Sequence, residues 1–244
     1  MRLDQRLVSE GLCPSRERAQ ALILAGEVTV QGQVVTKAGT QVAADQPVAV
    51  RRDPLPYVSR GGLKLRRALD FFAIEVRGCS AIDVGASTGG FTDCLLQAGA
   101  LRVCAIDVGY GQLAWSLRSD PRVTVRERVN ARTLDLDALP FVPDLAVCDV
   151  SFISQTLILP RLVAAVGPGR LPIITLIKPQ FEVQKGQVGP GGVVRERELH
   201  EQAIARCTQA ATELGCQVIG VTDSPLRGPA GNHEYLFYVQ SPAG

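Results

Sequence analysis

Residues 81–100 read "AIDVGASTGGFTDCLLQAGA", and the interpretation of this stretch decides the fold. A short apolar run, Ala81–Val84, meets a turn carrying Gly85, Gly89 and Gly90, and a helical pattern follows. In open α/β sheets a strand–turn–helix junction of this kind lies at the carboxyl edge, where ligands bind. Glycines let a ligand approach the backbone closely, and the amides of the following helix face it. Working outward, "VCAIDVG" (103–109), "LAVCDVSFI" (145–153) and "PIITLIKP" (172–179) are further short runs rich in β-branched residues. Helical stretches lie between them, "RGGLKLRRALDFFAI" (60–74) precedes them, and "RERELHEQAIARCTQAATELG" (195–215) follows. Two last strands are expected in "CQVIGVTDS" (216–224) and "HEYLFYVQ" (233–240). Strands alternating with helices predict a mostly parallel sheet with helices on both faces.

Four chemistries compete for the glycine turn. A dinucleotide site wants Gly-x-Gly-x-x-Gly, which Gly85-Ala86-Ser87 breaks; a P-loop wants Gly-Lys-Ser/Thr, and no lysine is present. Gly85-Ala86-Ser87-Thr88-Gly89 does match the Gly-x-Ser-x-Gly elbow of serine hydrolases, with Asp149 or Asp223 and His233 available in the order such enzymes use. Against it, no His-Gly-Gly-Gly loop precedes Ser87, and this strand opens the sheet instead of following several others. The fourth pattern, Asp-x-Gly-x-x-x-Gly after the first strand, belongs to S-adenosylmethionine-dependent methyltransferases, and Asp83 to Gly89 fits it. The candidate cofactor contacts are then Asp83, Gly85, Ser87, Thr88, Gly89, Gly90 and Phe91. Asp107, ending the next strand, stands where a carboxylate would accept hydrogen bonds from ribose hydroxyls.

Charged residues also end strands where burial makes them costly. Asp149 ends "LAVCD", Lys178 ends "IITLIK", Lys64 sits in "RGGLKL", and Glu234 opens "EYLFYVQ". In a parallel sheet Asp149 and Lys178 emerge at the same edge as the glycine turn. The glycine-rich segment after Lys178, "PQFEVQKGQVGPGGVV", is expected to form a mobile loop. His200 is expected on a solvated helix face, and His233 as a neighbour of Glu234 without a catalytic role.

The first 50 residues follow different rules. Leu3, Leu7 and Val8 suggest one helix stripe, Ser15 caps a second helix with Ala19, Leu22 and Ile23 inward, and "VTVQGQVV" alternates across a Gln-Gly turn. Residues 1–70 carry eleven Lys and Arg against seven Asp and Glu, although the whole chain of 244 residues has a net charge of only +2. A basic front half suits a polyanion partner. "RRDPLPYVS" (51–59), with two prolines, reads as a semi-rigid linker. The expected domains are therefore 1–50, a linker at 51–60, and 61–244. No apolar run approaches the roughly 18 residues that cross a bilayer, and the N-terminus lacks an apolar signal core, so a cytoplasmic protein is expected. Seven scattered cysteines with no Cys-x-x-Cys pair argue against a zinc site or a disulfide framework, and most are read as small core residues.

Arg2-Leu3-Asp4, Ser15-Arg16 and Gly26-Glu27-Val28-Thr29-Val30-Gln31-Gly32 resemble the small α-L RNA-binding domain first seen in a ribosomal small-subunit protein, with Gln31 where that family usually has Asn. The resemblance implies RNA binding through Arg2, Arg6, Arg16 and Arg18. Lys64, Asp149, Lys178 and Glu234, in that order, resemble the catalytic tetrad of ribose 2′-O-methyltransferases of the FtsJ/RrmJ type. "YVSRGGLKL", "DVGASTGGFTD", "CDVSFIS", "LIKPQFE" and "GNHEYLF" make nearly the whole chain similar to the TlyA family of ribosomal-RNA methyltransferases, long labelled hemolysins. The resemblance implies a Rossmann-like class I fold with a seven-stranded sheet, S-adenosylmethionine as cofactor, no metal, ribosomal RNA or ribosomal subunits as partner, and methyl transfer to a ribose 2′-hydroxyl, at cytidine. It further implies an adenine contact at Asn130, Lys178 as general base, Lys64 depressing the pKa of Lys178 or steadying the alkoxide, and Asp149 and Glu234 orienting the lysines. A membrane-lytic role suggested by the old label would need a spanning segment or a strongly cationic amphipathic helix, and neither is present in the sequence.

Overall fold

The computed structural model describes residues 1–24, 26–50 and 55–244. Two compact units emerge, Met1–Pro56 and Tyr57–Gly244. Of the expected linker, residues 51–54 lie outside the described residues.

The first unit holds α1 (Leu3–Ser9), α2 (Arg16–Leu24) and the strands β1 (Val28–Val30), β2 (Gln33–Val34) and β3 (Val48–Val50). The sheet runs β2-β1-β3 and is antiparallel. Gln31 and Gly32 both have positive φ, as a tight hairpin turn with the native strand twist requires. Leu3, Leu7, Ala19, Leu22, Ile23 and Val28 form its core. Val8 departs from the expected stripe and is exposed, because at 100° per residue it lies about 140° round the helix from Leu3.

The second unit follows in the order α3 (Gly61–Phe71), β4 (Ser80–Val84), α4 (Gly90–Gln97), β5 (Arg102–Ile106), α5 (Trp115–Arg118), β6 (Val123–Arg126), β7 (Leu145–Cys148), α6 (Gln155–Val166), β8 (Pro172–Ile177), α7 (Pro179–Glu182), α8 (Arg197–Glu213), β9 (Gln217–Asp223) and β10 (Tyr235–Gln240). Its sheet has seven strands in the order β6-β5-β4-β7-β8-β10-β9. β10 runs antiparallel to both neighbours, and the other pairings are parallel. The Rossmann-like fold with a mostly parallel sheet is thus borne out. Side chains alternate between the two faces, as strand geometry demands. Ala81, Val103, Leu145, Val147, Leu176 and Leu236 pack with Leu65 and Leu69 of α3 and Leu95 of α4. Ile82, Cys104, Ala146, Ile173 and Phe237 pack with Ile158 and Leu162 of α6 and Ala203 and Cys207 of α8. Six cysteines are buried free thiols and Cys79 is half-buried.

The sheet order reverses between β4 and β7, and that reversal opens a crevice at the carboxyl edge. β10 starts at this same edge because it is antiparallel, pairing Tyr235 with Ile177. Glu234 therefore arrives beside Lys178.

Candidate active site

The glycine turn comes first. Gly85 has φ +84°, and a Cβ there would stand 2.7 Å from the Asp149 carbonyl oxygen, so the ends of β4 and β7 touch only because this residue has no side chain. Both amides after the strand, Gly85 and Ala86, donate to the Ile106 carbonyl. Asp107 locks the turn further, accepting from the Ser87 amide (2.7 Å) and the Gly109 amide (2.7 Å). A cavity of about 230 Å3 opens here, walled by Gly85, Ile106, Asp107, Val108, Asn130 and Ser151 among others. Asn130 also caps a short 3-10 turn by accepting from the Arg132 amide.

Of the expected cofactor contacts, Gly85, Asp107 and Asn130 line this cavity. Ser87 adjoins it beside Asp107 and Gly109, and Thr88 is exposed on the turn. Gly89 has φ +100° and packs under Leu113 and Leu117. Three further expected contacts are buried in the fold. Phe91 is core, sandwiched into the cluster of α3 and α4. Gly90 lies against Ser59 and the Gly62 amide, where a Cβ would clash; it lets α4 approach α3. Asp83 is fully buried, and its Oδ2 accepts from both the amide (2.9 Å) and hydroxyl (2.6 Å) of Thr92. Burial pushes its carboxyl up to about 7, against the opposing pull of the Thr92 hydrogen bonds. Its Oδ1 has no hydrogen-bond partner.

The four strand-edge charges are brought together. Asp149 stands between two lysines, with Lys64 Nζ 3.0 Å from Oδ2 and Lys178 Nζ 2.6 Å from Oδ1. Lys64 also meets Glu234 at 2.7 Å. The Lys178–Asp149 contact is a close, nearly buried ion pair. Lys178 is 5% exposed and Glu234 is buried with it. For Asp149 burial alone would raise the pKa, but Lys178 and then Lys64 outweigh it and hold the carboxyl below its ordinary value. For Lys64 burial alone would lower the pKa, but Asp149 and Glu234 prevail and raise it. Lys64 is therefore a fixed cation shared by two carboxylates.

Several contributors were not legible in the sequence. Ser151 accepts a hydrogen bond from Lys178 Nζ at 3.0 Å. Glu182, buried, accepts from the Ser154 hydroxyl and the Gln155 amide, both at 2.6 Å. Phe152 is 91% exposed with φ +66° and packs against Phe181, ring centroids 5.4 Å apart. His200 is buried, not solvated; its Nδ1 meets the Tyr235 hydroxyl at 2.7 Å and its Nε2 the Val194 carbonyl at 3.0 Å. His233 is exposed, its ring packed edge-on against His200. The segment after Lys178 is not featureless: it forms α7 and two short 3-10 turns, and Asn232 ties Gly192 and Val194 to the start of β10.

A family model for FtsJ-like methyltransferases matches residues 57–241. The chain belongs to the FtsJ-like methyltransferase family. An S4 domain model matches residues 1–48 of this methyltransferase, so the resemblance read from the sequence is borne out in both parts. The protein of Mycobacterium tuberculosis described as 16S/23S rRNA (cytidine-2′-O)-methyltransferase TlyA is 49% identical over 241 residues, covering 98% of this chain and 90% of that one. A solved structure of a hemolysin candidate from Streptococcus thermophilus is 40% identical, with TM-score 0.77 over 100% of this chain and 90% of that chain. An S-adenosylmethionine-dependent methyltransferase from Mesorhizobium loti shares the fold at 15% identity and TM-score 0.53, over 71% of this chain and 96% of that chain. The hydrolase alternative lapses with the family assignment. Geometry agrees, because the Ser87 hydroxyl pairs with Gln112 and Asp149 is occupied by lysines. Among the described residues no helix is long and apolar enough to cross a membrane.

In the S4 unit, Asp4 is fully buried and gathers Arg2 (3.0 Å), Arg16 (2.9 Å) and Gln20 (3.0 Å). These partners hold its carboxyl well below the usual range, the Arg2 hydrogen bond foremost and against the effect of burial. Arg2 and Arg16 are pinned at one end yet partly exposed, and Arg18 is half-buried. Arg6 is a correction. It is buried, pairing with Glu10 at 2.6 Å and donating to the Ala43 and Ala44 carbonyls, so its donors tie α1 to the stretch before β3.

Proposed function

We propose that this chain transfers a methyl group from S-adenosylmethionine to a ribose 2′-hydroxyl of ribosomal RNA, at cytidine. The observation that carries the reading is the Lys64–Asp149–Lys178–Glu234 cluster standing at the carboxyl edge, with the Gly85–Asp107 cavity opening beside it. The cavity suits the cofactor's nucleoside part. Asp107 offers its remaining lone pairs to ribose hydroxyls, Val108 and Asn130 offer an apolar and a polar edge for the base, and Gly85 leaves its backbone open. When bound, S-adenosylmethionine supplies an electrophilic methyl on a sulfonium.

A ribose hydroxyl is a poor nucleophile and must shed its proton as it attacks. Lys178 Nζ receives that proton. Asp149 holds Lys178 at the site and shares its charge with Lys64. Lys64, held as a cation by Asp149 and Glu234, stands ready to steady a developing alkoxide. The exposed face of Phe152 suits a base taken out of its stack. In the S4 unit the clamped Arg2 and Arg16 present donors to phosphate. With ribosomal RNA as substrate, the compartment expected for the enzyme is the cytoplasm.

Tritiated S-adenosylmethionine, purified enzyme and bacterial ribosomal subunits are expected to yield 2′-O-methylcytidine in digested RNA. Label on a base instead of a ribose, or no transfer, would overturn the reading. Replacing Asp107 by alanine is expected to raise the calorimetric Kd for S-adenosylmethionine by about 10- to 100-fold, the worth of charge-assisted hydrogen bonds. An unchanged Kd in a folded D107A protein would remove Asp107 from the cofactor site.

A further inference from the structure

Building on the methyl-transfer reading, we propose that Ser151 is a positioning residue that sets the rotation of the Lys178 amine toward the substrate hydroxyl. Among the described residues, two side chains meet Lys178 Nζ. Asp149 Oδ1 pairs with it at 2.6 Å, and Ser151 Oγ accepts a hydrogen bond from it at 3.0 Å. An ion pair fixes where a charge sits but constrains rotation about Cε–Nζ weakly, because Coulomb attraction is not directional. A hydrogen bond at one tetrahedral position of nitrogen fixes the other two. With Asp149 on one position, Ser151 therefore helps set which tetrahedral position of Nζ is left for the substrate hydroxyl.

The hydroxyl is well placed for this. Ser151 lies in the wall of the Gly85–Asp107 cavity and so stands between that cavity and Lys178. Its loop is held at both ends. At the near end the Asp149 amide donates to the Val84 carbonyl at 3.1 Å, and the Asp149 carboxylate is gripped by two lysines. At the far end buried Glu182 holds Ser154 and the Gln155 amide, and the Gln155 side chain is held by Thr175 at 2.6 Å. Phe152, next to Ser151, sits in the left-handed region at φ +66°, a conformation that persists only where the surroundings fix it. Ser151 is itself exposed, so its removal leaves no buried cavity.

The test compares Ser151→Ala and Ser151→Thr with wild type on the same ribosomal substrate, together with calorimetric binding of S-adenosylmethionine. S151A is expected to lower kcat by about 10- to 100-fold, the scale of a misplaced reacting group, with KM for RNA and the cofactor Kd unchanged. S151T, which restores a hydroxyl, is expected to recover most of the wild-type kcat. Wild-type kcat in S151A overturns the proposal. So does an equal loss in S151A and S151T, which would trace the effect to loop shape, and so does a loss confined to KM or to cofactor binding. A wild-type protein inactive on every ribosomal substrate would instead sink the methyl-transfer reading itself.

Discussion

Lys178→Ala is expected to lower kcat for methyl transfer by roughly 10²- to 10⁴-fold, the usual contribution of a general base, while S-adenosylmethionine still binds. The fold should survive. Lys178 is almost fully buried, but its loss leaves Asp149 paired with Lys64 at 3.0 Å, so no carboxylate is left without a cation. Lys178→Arg separates two explanations. Arginine keeps the positive charge beside Asp149 but cannot give up its proton in a protein. If Lys178 works as a base, K178R falls with K178A; if only charge is needed, K178R retains activity. A K178A enzyme with near-wild-type kcat and normal cofactor binding would remove Lys178 from the proton-transfer step.

Why this lysine could be singled out from sequence is a matter of topology. In a parallel sheet every strand delivers its last residue to one edge, so Asp149 and Lys178 had to be neighbours once β7 and β8 were recognised. Those strands were legible because central parallel strands are buried on both faces and read as unbroken apolar runs. Asp107 and Gly85 follow by the same logic, and Glu234 joins them because β10 reverses direction.

What stayed hidden depends on partners distant in sequence. Periodicity put His200 on a charged helix face, yet Tyr235 and the Val194 carbonyl draw it inward. Arg6 looked like a phosphate ligand until the Ala43 and Ala44 carbonyls claimed its guanidinium. Phe91 belongs to the cofactor motif by position, but α3 packs over the start of α4 and covers it. Ser151 and Glu182 gave no signal, because a serine three residues past a strand end and a glutamate in a short helix have ordinary local patterns. Their significance arises only when the loops after β7 and β8 meet.

Asp149→Asn should produce the largest loss of stability. Asn keeps the shape and removes the charge that both lysines use. Lys64 retains Glu234 at 2.7 Å, but Lys178 is left buried with only a serine hydroxyl. Breaking a buried pair by removing one partner costs about 3–5 kcal/mol, and a value near the lower end is expected because one lysine keeps its second carboxylate. Acidity and alkalinity should each erase the difference. Asp149 has a folded pKa below its unfolded value, so its contribution is complete above about pH 4 and fades as pH falls through the folded value. Lys64 has a folded pKa above its unfolded value, so its contribution is complete below about pH 10 and fades as pH rises through the folded value. The gap between wild type and D149N in urea unfolding should therefore form a plateau around neutrality and shrink at both ends. Activity should be lost across that plateau, since the carboxylate that holds both lysines at the site is gone. A D149N protein with the wild-type urea midpoint at pH 7, or a gap that does not narrow in acid, would mean that the cluster does not carry the charges assigned to it.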